Sequence, residues 1–188
     1  MLELIRAASD LQSFCESEGW RYCFIGGLAL QQWGEPRETV DVDLTLLTGF
    51  GAEDAFSEKL LARFAGRIED AAAFARTKRV LLLRSSAGVG IDIAFGALPY
   101  EGDVVARSRL VGFPGNVTLR LCSPEDLIVL KAFAARPRDW LDIEGVIVRQ
   151  TGKLDWDSII RRLEPLAELK EAPEIIAELQ RRRGEFER

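Results

Sequence analysis

The chain has 188 residues, 47% of them hydrophobic, which suits one compact domain or a core domain with a helical appendage. A formal net charge of −5 excludes a surface that is basic throughout, as a general nucleic-acid binder would carry, and leaves room for a local basic patch. There is no histidine, so Ser-His and Cys-His catalysis and histidine-ligated zinc are excluded, and acid–base or metal chemistry falls to carboxylates, Lys, Tyr, Cys or Arg.

Leu4, Ala8, Leu11 and Cys15 recur at helical spacing, and Gly19 offers a stop, so residues 2–18 are expected to form an amphipathic helix. Glu3, Arg6, Asp10 and Glu16 interrupt this segment, so it does not read as a secretory leader. No apolar run approaches the ~18 residues of a membrane span, and no membrane association is expected. Tyr22 to Ile25 reads as a short strand ended by Gly26-Gly27, and Leu28 to Trp33 as one or two helical turns. Gly34 and Pro36 mark a loop. Val40 to Leu47 alternates, with Val40, Val42, Leu44 and Leu46 on one face and Asp41, Asp43 and Thr45 on the other, which is the strand period.

Phe56, Leu60 and Phe64 predict a helix over 53–65, ended by Gly66. Val80 to Leu83 and Val89 to Phe95 read as strands, the second alternating with Asp92 on its polar face. A short helix is expected around 103–107. The run around Pro114-Gly115-Asn116 reads as a hairpin. Ser123 is placed as an N-cap with Pro124 at the first helical position, and Pro137 should end or kink that helix. Asp155 is placed to cap another helix, and Pro165 and Pro173 punctuate a charged helical tail ending in Arg181 to Arg183. Strands lead and helices dominate after Ser123, which predicts a mixed α/β core over residues 1–122 and a C-terminal helical region over 123–188. Cys15, Cys23 and Cys122 sit in apolar contexts without metal-ligand spacing and read as reduced core residues of a cytoplasmic protein.

Asp41 and Asp43 are two apart on a strand, so they share a face with Cα atoms roughly 6–7 Å apart. Two carboxylates that close repel each other and lose hydration unless a cation lies between them. All-oxygen ligands suit Mg²⁺ or Mn²⁺. Asp92 adds a third carboxylate if its strand is a neighbour. Gly26-Gly27 lies where a strand hands over to a helix, a place where backbone N–H groups can approach a phosphate.

The spacing of Gly26-Gly27, thirteen residues, then Asp41-Val42-Asp43 and a later strand aspartate resembles the nucleotidyltransferase superfamily that includes DNA polymerase beta. The wording "FIGGLAL…PRETVDVDLTLL" and "SPEDLIVLKAFAARPRDWLDI" is more specific and resembles the AbiEii-type nucleotidyltransferases, many of them toxins of toxin–antitoxin systems. The resemblance covers roughly residues 20–150. It implies a nucleotidyltransferase core sheet flanked by helices and transfer of a nucleoside monophosphate from an NTP, such as ATP, to an acceptor hydroxyl. It implies that Asp41, Asp43 and Asp92 bind Mg²⁺ or Mn²⁺, that Gly26 and Gly27 hold phosphates, that Lys131 lies near the triphosphate and that Asp139 is the later motif acid. Arg37 and Thr39 fit the segment before the metal strand. The implied acceptor is tRNA or another macromolecule, with an antitoxin protein as partner. A small acceptor such as an aminoglycoside, and a non-catalytic nucleotide-binding module, are the alternatives. Arg181 to Arg183 reads as a solvated helix end or as a contact for an RNA backbone.

Overall fold

The structure is a computed structural model that describes residues 1–187. Arg188, the last residue of the predicted helical region, lies outside the described residues. The chain forms two compact units. The first comprises Met1–Leu28 and Glu38–Cys122; the second comprises Ala29–Arg37 and the chain from Ser123 onward.

The first unit is a mixed sheet with helices. It opens with α1 (Leu2–Ser17) and β1 (Tyr22–Phe24), and α2 (Gly26–Trp33) begins in it. Then follow β2 (Asp41–Leu47), α3 (Glu53–Arg63), β3 (Ala65–Gly66), α4 (Ala71–Lys78), β4 (Val80–Arg84), β5 (Gly90–Gly96), α5 (Pro99–Arg107), β6 (Arg109–Phe113) and β7 (Val117–Leu121). The strands lie in the order β3-β4-β5-β2-β1-β7-β6. At the centre β2 runs parallel to β5, while β1 pairs antiparallel with β2 and parallel with β7. The alternation of β2 and β5 puts Val42, Leu44, Leu46, Ile91, Ile93 and Phe95 on one face, where they are buried in one apolar cluster with Leu4, Leu11 and Cys15 of α1, Leu60 of α3 and Ala75 of α4. That burial, at about 25 cal/mol per Å² of apolar surface, is what fixes the strand faces. The predicted hairpin turn is present, with Gly115 and Asn116 both at positive φ.

The second unit is helical: the rest of α2, then α6 (Pro124–Ala134), α7 (Pro137–Arg149), α8 (Trp156–Leu169) and α9 (Glu174–Phe186). Ser123 caps α6 reciprocally, its hydroxyl accepting from Asp126 N at 3.1 Å and donating to Asp126 Oδ2 at 3.0 Å. Asp126 is fully buried, and Arg162 of α8 supplies its counter-charge at 3.2 Å. Asp155 caps α8 by accepting from Ser158 N at 2.9 Å. The stretch Ala29–Arg37 belongs here because α7 ties it down: Arg149 donates to Gly34 O at 2.8 Å and Gln150 to Trp33 O at 2.9 Å.

Four elements differ from the sequence expectations. Residues 65–78, which carry no strong period, form β3 and α4. α2 starts at Gly26 rather than Leu28. α8 continues through Pro165 instead of ending there, with Arg161 and Pro165 both exposed, so the carbonyl that loses its donor lies on the side open to water.

Candidate active site

The polar face of the sheet in the first unit gathers the carboxylates. β2 and β5 pair in register, Asp41 opposite Gly90 and Asp43 opposite Asp92. Residues directly opposite in a ladder point the same way, so Asp41, Asp43 and Asp92 share one face. The even residues of β2 and the odd residues of β5 are buried in the core, which leaves these three aspartates half-buried on the far side.

Each carboxylate has a positive or donating neighbour. Asp43 Oδ2 accepts from Gly27 N at 3.3 Å. Asp41 Oδ1 accepts from Arg67 Nη1 at 3.2 Å. Arg67 Nη2 stands 2.6 Å from Asp92 Oδ1, close enough for an ion pair but without hydrogen-bond geometry, and that oxygen is buried and accepts no hydrogen bond. Burial pushes the Asp92 carboxyl above the usual carboxylate range; the charge of Asp41 pushes the same way, and the Arg67 guanidinium pulls against both.

The glycine turn is shaped by its neighbours. Gly26 has φ +57, and a Cβ there would overlap the Asp43 carboxylate. A Cβ on Gly27 would overlap the Thr39 side chain. The two glycines therefore let the N-terminal end of α2 close onto the segment entering β2.

In the second unit, four predicted or neighbouring ionic residues form one buried cluster. Lys131, 7% exposed, donates to Asp139 Oδ1 at 3.1 Å and to Asp142 Oδ2 at 2.6 Å. Arg37 grips Asp142 with two parallel bonds, Nε to Oδ1 at 2.7 Å and Nη2 to Oδ2 at 2.9 Å. Burial weighs most on the Asp142 carboxyl and opposes its charge, yet the hydrogen bonds and charges of Arg37 and Lys131 together hold its pKa below the usual range. Asp139 Oδ2 is buried and accepts no hydrogen bond. The Arg181 to Arg183 run is engaged internally: Arg181 pairs with Glu178 and Glu185, Arg182 with Glu144 and Glu178, and Arg183 with Glu187.

The donor set on the sheet face fits a hard divalent ion in kind. Three carboxylates share one face, and a buried oxygen of Asp92 lacks a hydrogen bond. Among the described residues, no three Asp, Glu or Cys side chains form a group that could hold a metal ion as they stand. Asp43 leans on Gly27 while Asp41 and Asp92 lean on Arg67. Arg67 is the residue that sequence reasoning missed. It lies in "RIED", between β3 and α4, where neither helical nor strand periodicity marks it.

The model of the AbiEii nucleotidyl transferase toxin of type IV toxin–antitoxin systems matches residues 14–163. The chain belongs to this family. As a family member it is a nucleotidyltransferase, and the family carries the toxin–antitoxin association. Among solved structures, an antigenic nucleotidyltransferase-like protein from Paracoccidioides brasiliensis is similar in fold, with TM-score 0.55 at 20% identity over 95% of this chain and 92% of that one. The antibiotic-resistance factor ANT(2'')-Ia aligns with TM-score 0.44 and 16% identity over 97% of this chain and 90% of that one. No curated protein matches the chain. Among the described residues, no helix is long and apolar enough to cross a membrane.

Proposed function

We propose that this family member moves a nucleoside monophosphate from an NTP to an acceptor hydroxyl, with Mg²⁺ or Mn²⁺ held by Asp41, Asp43 and Asp92. The observation that carries the reading is the in-register pairing of β2 with β5, which puts the three carboxylates on one face beside the Gly26-Gly27 turn. A divalent cation bound there supplies charge neutralisation for the α-phosphate and for the attacking and leaving oxygens. Asp92, on the same sheet face as Asp41 and Asp43, is the carboxylate that accepts the proton of the acceptor hydroxyl. The hydroxyl oxygen then bonds to the α-phosphorus as the bond to the pyrophosphate oxygen breaks. Gly26 offers its backbone N–H at a helix N-terminus to the phosphates, while the Gly27 N–H, held by Asp43 Oδ2, turns to a phosphate once an ion takes that carboxylate, with Thr39 shaping the turn.

Lys131 uses two of its three N–H donors on Asp139 and Asp142, which leaves the third for a phosphate oxygen. Arg37 holds Asp142 and so positions Lys131. The acceptor we favour is tRNA, on the strength of the toxin family, with an antitoxin as protein partner in the cytoplasm.

The test is incubation with Mg²⁺ and each labelled NTP, with and without total tRNA and with an aminoglycoside in a parallel arm. Label on tRNA supports the reading. Label on the aminoglycoside alone replaces the acceptor and keeps the chemistry. No label from any NTP with any metal refutes the transfer chemistry at these aspartates.

A further inference from the structure

Arg67 stands where two like charges need a cation. Its backbone N–H donates to Leu82 O at 2.9 Å, which fixes its Cα beside β4. Its guanidinium reaches Asp41 Oδ1 at 3.2 Å and Asp92 Oδ1 at 2.6 Å. The room for this pair is made by Gly90, the β5 residue opposite Asp41: a Cβ there would overlap Asp41 Oδ1 and lie 2.6 Å from Arg67 Nη1. Any other residue at position 90 would push the guanidinium away from Asp41. A guanidinium stays charged at all ordinary pH and lowers the repulsion between the two carboxylates.

The pairing is also exchangeable. The side chains of Arg67, Asp41 and Asp92 are 25%, 42% and 31% exposed, so water screens the ion pairs and a solvated ion can reach the carboxylates. A doubly charged oxygen-seeking ion placed between them gains more than one guanidinium does.

We propose that Arg67 is a positioning residue of this site, holding Asp41 and Asp92 in the ion-free enzyme, and that the divalent ion binds by displacing its guanidinium. This rests on the reading of Asp41, Asp43 and Asp92 as ion ligands. Ion affinity is then set by an exchange of cations, and the carboxylates reach metal spacing only once Arg67 has left them.

The experiment is Mn²⁺ binding to the nucleotide-free protein, followed by calorimetry and by the electron paramagnetic resonance of free Mn²⁺. Arg67→Ala should bind Mn²⁺ about five- to tenfold more tightly than the unsubstituted protein, and Arg67→Lys, which keeps a competing cation, should stay close to it. Equal or weaker binding by Arg67→Ala overturns the proposal and leaves the proposed function standing. If neither protein shows Mn²⁺ binding that Asp43→Asn abolishes, the ion-ligand reading fails and the proposal fails with it. Should Arg67→Ala not fold, the unsubstituted protein decides. Its Arg67 Nε–H resonance, assigned by its loss in Arg67→Lys, should move on titration with Mg²⁺. A resonance that stays in place overturns the exchange.

Discussion

Asp43 faces two demands, a backbone donor and an ion. Its Oδ2 accepts from Gly27 N, so Asp43→Asn keeps an acceptor for that N–H while removing the charge. We expect the thermal midpoint to stay within the ~2–4 °C that 1 kcal/mol is worth in a chain of this size. Nucleotidyl transfer should fall by at least ~10²–10³, the scale of losing one preorganised electrostatic element. Comparing melting and transfer on the same preparation checks both; an active mutant with a lowered midpoint would give Asp43 a structural role only. Gly26→Ala should damage both quantities, because φ +57 strains any side chain and the new Cβ overlaps the Asp43 carboxylate. A midpoint lowered by more than the ~2–4 °C that about 1 kcal/mol is worth, together with loss of transfer, is the expected result. Unchanged activity would show that the carboxylate relocates harmlessly. The aspartates and glycines were legible as residue types that do not belong on strands or in helix starts unless something holds them there. Arg67 was not, because its partners are 26 and 25 positions away in sequence and no pattern links them.

Periodicity announced the elements whose faces differ strongly and stayed silent on those whose faces do not. β2 and β5 alternate cleanly, so their strand nature and their polar faces could be read directly. Their parallel pairing could not, because 42 residues of α3, β3, α4 and β4 intervene between Leu47 and Gly90 and local sequence does not record the crossover. β3 has two residues and α4 buries only Ala71 and Ala75, too little contrast for a period. On α6 and α7 the apolar stripe was legible, whereas the burial of Lys131 with Asp139 and Asp142 was not, since charged residues read as surface. Two predictions follow from that cluster. Lys131→Met leaves Asp139 and Asp142 buried with less positive charge, and should cost about 3 kcal/mol. At temperatures where it is folded, it should also raise the KM for NTP; an unchanged KM would confine Lys131 to the fold. The second concerns acid. The Asp142 pKa is depressed, so its contribution to stability is present above the ordinary aspartate pKa of about 3.9 and is lost as pH falls through the lower folded value. Melting from pH 7 to pH 3 should therefore show an acid limb that is shallower in Asp142→Asn, which starts less stable at pH 7. Equal slopes would mean that Arg37 and Lys131 do not hold this charge in the native state.

At the scale of the whole molecule, the net charge of −5 sets what kind of acceptor contact is available. A polyanion such as tRNA meets a repulsive long-range field, so its binding has to come from a few local cations rather than from a basic surface. The arginines at positions 181–183, the most concentrated basic run, are paired with Glu178, Glu185, Glu144 and Glu187 and offer little net charge. Each phosphate neutralised on a duplex releases counterions and contributes a slope of about −0.9 to log K against log salt, and about −0.7 on a single strand. We therefore expect tRNA transfer with a modest slope, about −2 to −3, which corresponds to roughly three or four phosphate contacts. A small cationic acceptor has no phosphates to release counterions from, and screening of its own attraction to the acidic surface gives a weaker dependence still. The measurement is kcat/KM for the acceptor between 50 and 300 mM KCl, at fixed saturating Mg²⁺ and NTP. Glu178→Lys would take one carboxylate partner from each of Arg181 and Arg182, which keep Glu185 and Glu144, and would add a cation beside them, steepening the tRNA slope by about one if the 181–183 run touches the RNA. A slope unchanged by Glu178→Lys would place the RNA contacts elsewhere on the molecule, and a slope near zero with the unsubstituted protein would remove tRNA as the acceptor.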